Sequence, residues 1–132
     1  MRNSEQAGFS LLGVLIAVMI IGIVAAIAVP KFNSAIASAN TAKIEADLST
    51  LDSAIMVYEA EHGTSPSEVN DLAGYVNDVA KLAPPKGKCL LKGGKEMTIT
   101  GTAYVLANDF DKANVTTRRA MLDGHTAGDF GK

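Results

Sequence analysis

The chain has little of what usually announces a chemistry. Tryptophan is absent, aromatic residues make up only 5% of the sequence, and Cys89 is the single cysteine. One cysteine cannot close an intramolecular disulfide. The two histidines, His62 and His125, lie far apart in sequence. That leaves little material for a metal site or a nucleophile–base pair, and no paired-carboxylate arrangement can be assembled either. The sequence therefore implies no enzyme and no cofactor of its own. Net charge is only −2, so no whole-chain electrostatic footprint for nucleic acid is present. Lys86, Lys88, Lys92 and Lys95 form a local basic patch without interleaved aromatics, which reads as a solvated hairpin and not as a DNA-binding surface.

What the sequence does have is one long apolar run. Phe9 to Val29 passes without a charge, Pro, Asn, Gln or His. As a helix, a run of about 20 apolar residues matches the thickness of a bilayer core. A short polar stretch precedes it, and Pro30 and Lys31 follow at once. Three uses compete. The run could be a cleaved secretory signal, with Ala25-Ala26-Ile27-Ala28 as its small-residue site. It could be a plain anchor, whose orientation Arg2, Glu5, Lys31 and Lys43 leave poorly specified. Or it could be the apolar half of a longer helix.

The residues after Pro30 favour the longer helix. No Gly or Pro occurs between residues 31 and 61, and apolar side chains recur at Phe32, Ile36 and Ala39. They recur again at Ile44, Leu48, Leu51, Ile55 and Tyr58, with the three-and-four spacing of an amphipathic helix packed along one face. Glu45, Asp47, Asp52 and Glu59 fall off that stripe. His62-Gly63 is a stop, with Gly supplying the left-handed residue past the last turn. Pro30 is expected to bend the helix, because it removes one backbone bond and crowds the preceding turn.

The second half reads as a small head, making the whole an α+β chain. Ser65-Pro66-Ser67-Glu68 predicts a helix start, with Val69, Leu72 and Val76 as its apolar face. Ala83 to Gly87 reads as a loop. Strand-like runs follow at 89–92, 96–100 and 103–107, separated by Gly93-Gly94-Lys95 and Gly101-Thr102. They predict an antiparallel three-stranded sheet packed on the long helix. Val115 to Leu122 reads as a short helix and the remaining tail as irregular. Asp109, Asp111, Asn114 and Asp123 could offer oxygen ligands to calcium, with Asp109 and Asp111 as the candidates. The EF-hand pattern is absent, however, and such residues more often cap turns. Cys89 reads as a small buried strand residue.

Gly8-Phe9-Ser10-Leu11-Leu12 resembles the prepilin peptidase site of type IV pilins and type II secretion pseudopilins. The resemblance extends through Gly22 and Pro30, where family members carry helix-loosening residues, and into Leu51 to Gly63. It implies a leader at 1–8 and a transmembrane or filament-core segment at 9–30. An amphipathic continuation at 31–63 and a globular head at 64–132 would complete the chain. It also implies cleavage between Gly8 and Phe9, N-methylation of Phe9, and a structural role in a polymer of this and related subunits. The implied partners are a prepilin peptidase/methyltransferase using S-adenosylmethionine, an assembly ATPase and a membrane platform. The precursor would sit in a bacterial inner membrane and the product in a surface pilus or a periplasmic pseudopilus. Some pseudopilins bind calcium in C-terminal loops.

One departure stands out. The fifth residue of the mature chain is normally Glu in this family, and here it is Gly13. That carboxylate is thought to pair with the terminal amine of a neighbouring subunit. Glycine removes both the cost of a charge in apolar surroundings and the attraction. A minor subunit at a filament tip, a major subunit assembling without the pair, and a deliberately altered sequence all fit. The competing class is a membrane-anchored binding domain that never polymerises.

Overall fold

A computed structural model describes residues 2–108 and 118–131. It contains one long helix, α1 (Arg2–His62), and four short strands, β1 (Lys88–Leu91), β2 (Lys95–Thr98), β3 (Val105–Asn108) and β4 (Arg118–Met121). Single 3-10 turns occur at Val69–Leu72, Val79–Lys81 and Ala127–Asp129. Helical structure runs without interruption through Gly22 and Pro30. The chain divides into two compact units, residues 1–35 and 36–132.

Within the second unit, α1 supplies one wall of the core. Ile44, Leu48, Leu51 and Ile55 are buried, and Tyr58 packs against the cluster, as their spacing predicts. The stripe continues backwards through Thr41 and Ala37 and not through the residues expected from the sequence. Ile36 and Ala39 are exposed, as is Phe32 in the first unit. Stepping back from Ile44 by three and then four residues stays on the buried face. Thr41 can be buried there because its hydroxyl donates to the Ala37 carbonyl at 2.7 Å and accepts from the Leu90 N–H at 2.7 Å. Facing the stripe are Leu72, Val76, Val79, Cys89, Tyr104, Ala120, Leu122 and Phe130.

The sheet differs from the expected three-stranded meander. Two antiparallel hairpins form instead, β1 with β2 and β3 with β4. The reason lies between Ile99 and Tyr104. Asp123 Oδ2 accepts the Thr100 N–H at 2.9 Å and Oδ1 accepts the Thr100 hydroxyl at 2.9 Å, which draws this segment away from β2. Gly101 is thus a close-approach glycine and not a turn glycine. A Cβ there would lie 2.8 Å from Leu122 Cδ1 and 2.9 Å from Asp123 Oδ1. With the segment held there, β3 takes its partner from Arg118–Met121, the described part of the stretch read as a helix. Tertiary pairing overrides local propensity at that point.

The expected helix after Ser65 shrinks to a 3-10 turn. Its N-cap is Glu68, not Ser65, and Asp71 inside the turn closes the capping box, accepting the N–H groups of Ser67 and Glu68 at 2.8 and 3.1 Å. Asp78, at φ +53, interrupts any continuation, yet Leu72 and Val76 still reach the core. The tail is more ordered than its composition suggests. Leu122 and His125 exchange backbone bonds of 2.9 Å around Asp123 and Gly124, both at positive φ, as a tight hairpin turn requires. Phe130 then bridges to Leu91 and is buried, while Gly131 N–H donates to the Leu90 carbonyl at 3.0 Å.

Two consequences are measurable. Leu51→Ala should lower the unfolding free energy of the head by about 2–5 kcal/mol, through lost burial and the cavity left behind. Ser49→Ala, on the exposed side of the same helix, should stay within about 0.5 kcal/mol; urea midpoints of the full chain in detergent check both. The second concerns Asp123. Burial acts to raise its carboxyl, but donation from the Thr100 and Gly101 backbone and the Thr100 hydroxyl prevails and holds it below the ordinary range. A depressed folded value contributes stability above the unfolded value, lost as pH falls through the folded one. Urea midpoints should therefore decline from about pH 4 downward, and Asp123→Asn should lower the neutral-pH midpoint and flatten that acid limb.

Candidate functional site

The first unit presents its apolar residues on every side. From Phe9 to Val29 each Leu, Ile, Val, Met and Phe is exposed, from 48% at Ile16 to 81% at Phe9. A surface helix in water shows one apolar stripe, whereas this one is apolar all round. The helix is long and apolar enough to cross a membrane. No charged group competes for the backbone along it, and straight-chain, β-branched and alanine residues carry it as a helix.

Small residues break the bulky surface at defined places. Gly13 with Ala17, and Gly22 with Ala26, stand four apart and therefore on common faces. A Cβ at Gly8, Gly13 or Gly22 would meet nothing within 4 Å, so no contact among the described residues requires glycine at these positions. Pro30 lies inside α1, at the end of the apolar segment.

The head is fastened to its own part of α1 by polar side chains that flank the apolar stripe. Asn40 Nδ2 donates to the carbonyls of Lys86 and Lys88 at 3.1 and 2.9 Å. Asp47 accepts the Tyr104 hydroxyl at 2.7 Å and pairs with Lys43 at 2.5 Å. Burial first, then the Asp47 carboxylate, pushes the Tyr104 hydroxyl well above its ordinary range, so it remains a donor. Asp52 accepts the Ala120 N–H at 2.8 Å and pairs with Arg119 at 3.0 Å, closing the free edge of β4. From sequence, Asp47 and Asp52 read only as residues off the stripe. Their spacing of five, with the stripe beside them, is the available signal, but it does not name their partners.

Past the last turn, Gly63 takes φ +69 and its N–H returns to the Glu59 carbonyl at 2.8 Å, the expected stop. His62 stacks on Tyr58 with ring centroids 4.2 Å apart, and Tyr75 meets Tyr58 edge-on at 5.8 Å. The Tyr75 hydroxyl donates to Glu61, a bond that raises its pKa. This aromatic group has no local signature in the sequence, because Tyr75 reaches it from outside the helix. Cys89 is buried, as expected, and burial pushes its thiol up, keeping it protonated. Of the calcium candidates, Asp109, Asp111 and Asn114 lie outside the described residues. Asp123 is committed to Thr100 and Gly101.

Comparison with known proteins bears on the helix first. The family described as the prokaryotic N-terminal methylation motif matches residues 3–29. Three relatives are each named type II secretion system core protein G. The one from Klebsiella michiganensis is 27% identical over 88 residues, covering 67% of this chain and 61% of the relative. The one from Aeromonas hydrophila is 28% identical over 86 residues, covering 65% and 60%. The one from Pseudomonas aeruginosa is 28% identical over 86 residues, covering 65% and 61%. The matched part thus spans about three-fifths of the length of these relatives. No solved structure matches at the same stringency. A methylation motif on an all-round apolar helix, a small α+β head and this similarity together support the family of type IV pilins and type II secretion pseudopilins.

Proposed function

We propose that this chain is a structural subunit of a pseudopilus of the type II secretion kind, held in the inner membrane by its apolar helix until it is assembled. The observation that carries the reading is the surface of residues 9–29, which needs lipid or protein around its whole circumference. Within a membrane, that surface is dry at no cost. Moving it into a bundle of identical helices keeps it dry, so the free energy that selects the bundle comes from packing, and small residues permit the close approach that packing needs. Gly13, Ala17, Gly22 and Ala26 are the positions for it. Gly22 loosens the helix within the span and Pro30 where it leaves the bilayer; Pro30 also marks the junction between filament core at 9–30 and the amphipathic stretch at 31–63 that seats the head at 64–132.

The apolar helix holds the precursor in the membrane while a prepilin peptidase removes the leader at 1–8, cutting between Gly8 and Phe9, and methylates Phe9. Assembly partners are further copies or related pseudopilins, with a platform protein and an ATPase supplying the work. The chain itself performs no reaction; its contribution is mechanical. The similarity to core proteins of type II secretion favours a periplasmic pseudopilus over a surface pilus.

Processing is read directly by intact-mass and N-terminal peptide mass spectrometry of protein from native membranes. The expected chain begins at methylated Phe9. An uncut chain from Met1, or one starting after Ala28, would leave a plain anchor or a secreted domain. Gly13→Glu should be accommodated by the helix, since the space around Gly13 is open. If a carboxylate there pairs with a neighbour's terminal amine, it should raise the polymer yield on sedimentation. An unchanged yield would mean that assembly runs on apolar packing alone.

A further inference from the structure

The second unit carries uncompensated charge of opposite sign at its two ends. Asn40 and Thr41 fix the β1–β2 hairpin beside the first turns of the head's helix, through bonds of 2.7 to 3.1 Å to Lys86, Lys88 and Leu90. Lys86, Lys92 and Lys95 are exposed there and have no acidic partner among the described residues. Lys88 is satisfied within the hairpin by Glu96 at 2.9 Å. Glu45 and Asp129, from α1 and the tail, offset part of this charge.

At the other end stand Glu59, Glu61, Glu68 and Asp71. Their carboxylates are held by neutral donors. The Ser65 hydroxyl donates to Glu59 at 2.6 Å, the Tyr75 hydroxyl to Glu61, and the Ser67 and Glu68 N–H groups to Asp71. Neutral donors fix the geometry of a carboxylate without cancelling its charge. Arg118, which donates to the Ser67 carbonyl, offsets part of it. The helix rises about 30 Å between Asn40 and Glu61, several screening lengths at physiological salt, so the two patches do not neutralise each other within one head.

We propose that the lysine-bearing hairpin of one head docks on the acidic end of the head of a second copy of this chain. This rests on the filament reading above and names the contact between heads. A patch at one end complementary to a patch at the other defines a heterologous, head-to-tail contact. Such a contact leaves a free patch at each end of every pair, so it propagates into an open helical array wherever its rotation does not close into a ring. An antiparallel twofold dimer would also set each lysine patch on the partner's acidic end, but it would point the two apolar helices in opposite directions, which a shared membrane or filament core does not allow. The occupant is therefore a like-oriented copy, and the contact supplies register while the apolar helices supply cohesion.

The test uses the chain in native membranes and in polymer extracted from the cell envelope. Lys95→Cys combined with Glu61→Cys, in a Cys89→Ala background, should give a ladder of disulfide-linked multimers on mild oxidation. Either single cysteine should stop at dimers or below. Raising ionic strength from about 0.05 M to about 0.5 M before oxidation should shorten the ladder in the unreversed heads. Lys92→Glu with Lys95→Glu should lower the wild-type polymer yield at least about fivefold, and adding Glu61→Lys with Glu68→Lys should restore it. A ladder insensitive to salt, or a reversal that leaves the yield within about twofold, would overturn the docking while leaving the filament reading in place. Absence of any polymer from the wild-type chain would overturn that reading and the docking with it.

Discussion

The apolar face of α1 from Ala37 to Ile55 is the surface on which the rest of the second unit is laid, because none of the four-residue strands could stand without it. A two-stranded hairpin is marginal in water, and this head contains two of them that do not pair with each other. Each is made stable by burying one or two residues against the helix: Cys89 from the first, Ala120 from the second, Leu122 and Phe130 from the turn and tail that follow. Asn40, Thr41, Asp47 and Asp52 then fix the register by accepting or donating specific backbone and side-chain bonds. A slip of one residue in either hairpin would strand those groups.

The same helix carries a different burden before residue 36, where its large apolar side chains are exposed. Apolar surface on all sides is tolerable in lipid or in a bundle and costly in water. On the proposed function, the two halves of α1 divide the work of a subunit: one half would provide cohesion through its exposed apolar surface, and the other would display a compact body whose charged ends order its neighbours.

How much of this is legible in the sequence follows from where the information lies. The long helix, its stop at Gly63 and the stripe from Ile44 to Tyr58 are periodic features, and periodicity is local. The Gly8-Phe9 site and the apolar run are local too. The sheet was only half legible. Strand-like runs near 88–91, 95–98 and 105–108 stand out by composition, but pairing is decided at a distance. Nothing near Gly101 says that Asp123 will seize Thr100, and nothing in Arg118-Arg119-Ala120-Met121 says that Asp52 will close its edge. Those bonds join residues 23 and 68 positions apart. Likewise Ile36 and Ala39 looked apolar enough for the core, while Thr41, the residue with a hydroxyl to satisfy, is the one inside.

On the proposed function, the apolar half of α1 is covered by other copies of the chain once the subunit leaves the lipid. A photoreactive residue at Ile20, in the middle of the exposed run, tests it directly. In material sheared or extracted as polymer, irradiation should join the residue to α1 of another copy, and in unassembled membranes to lipid. Adducts to lipid alone under both conditions, with the chain fully processed, would contradict the account and leave a monomeric anchor.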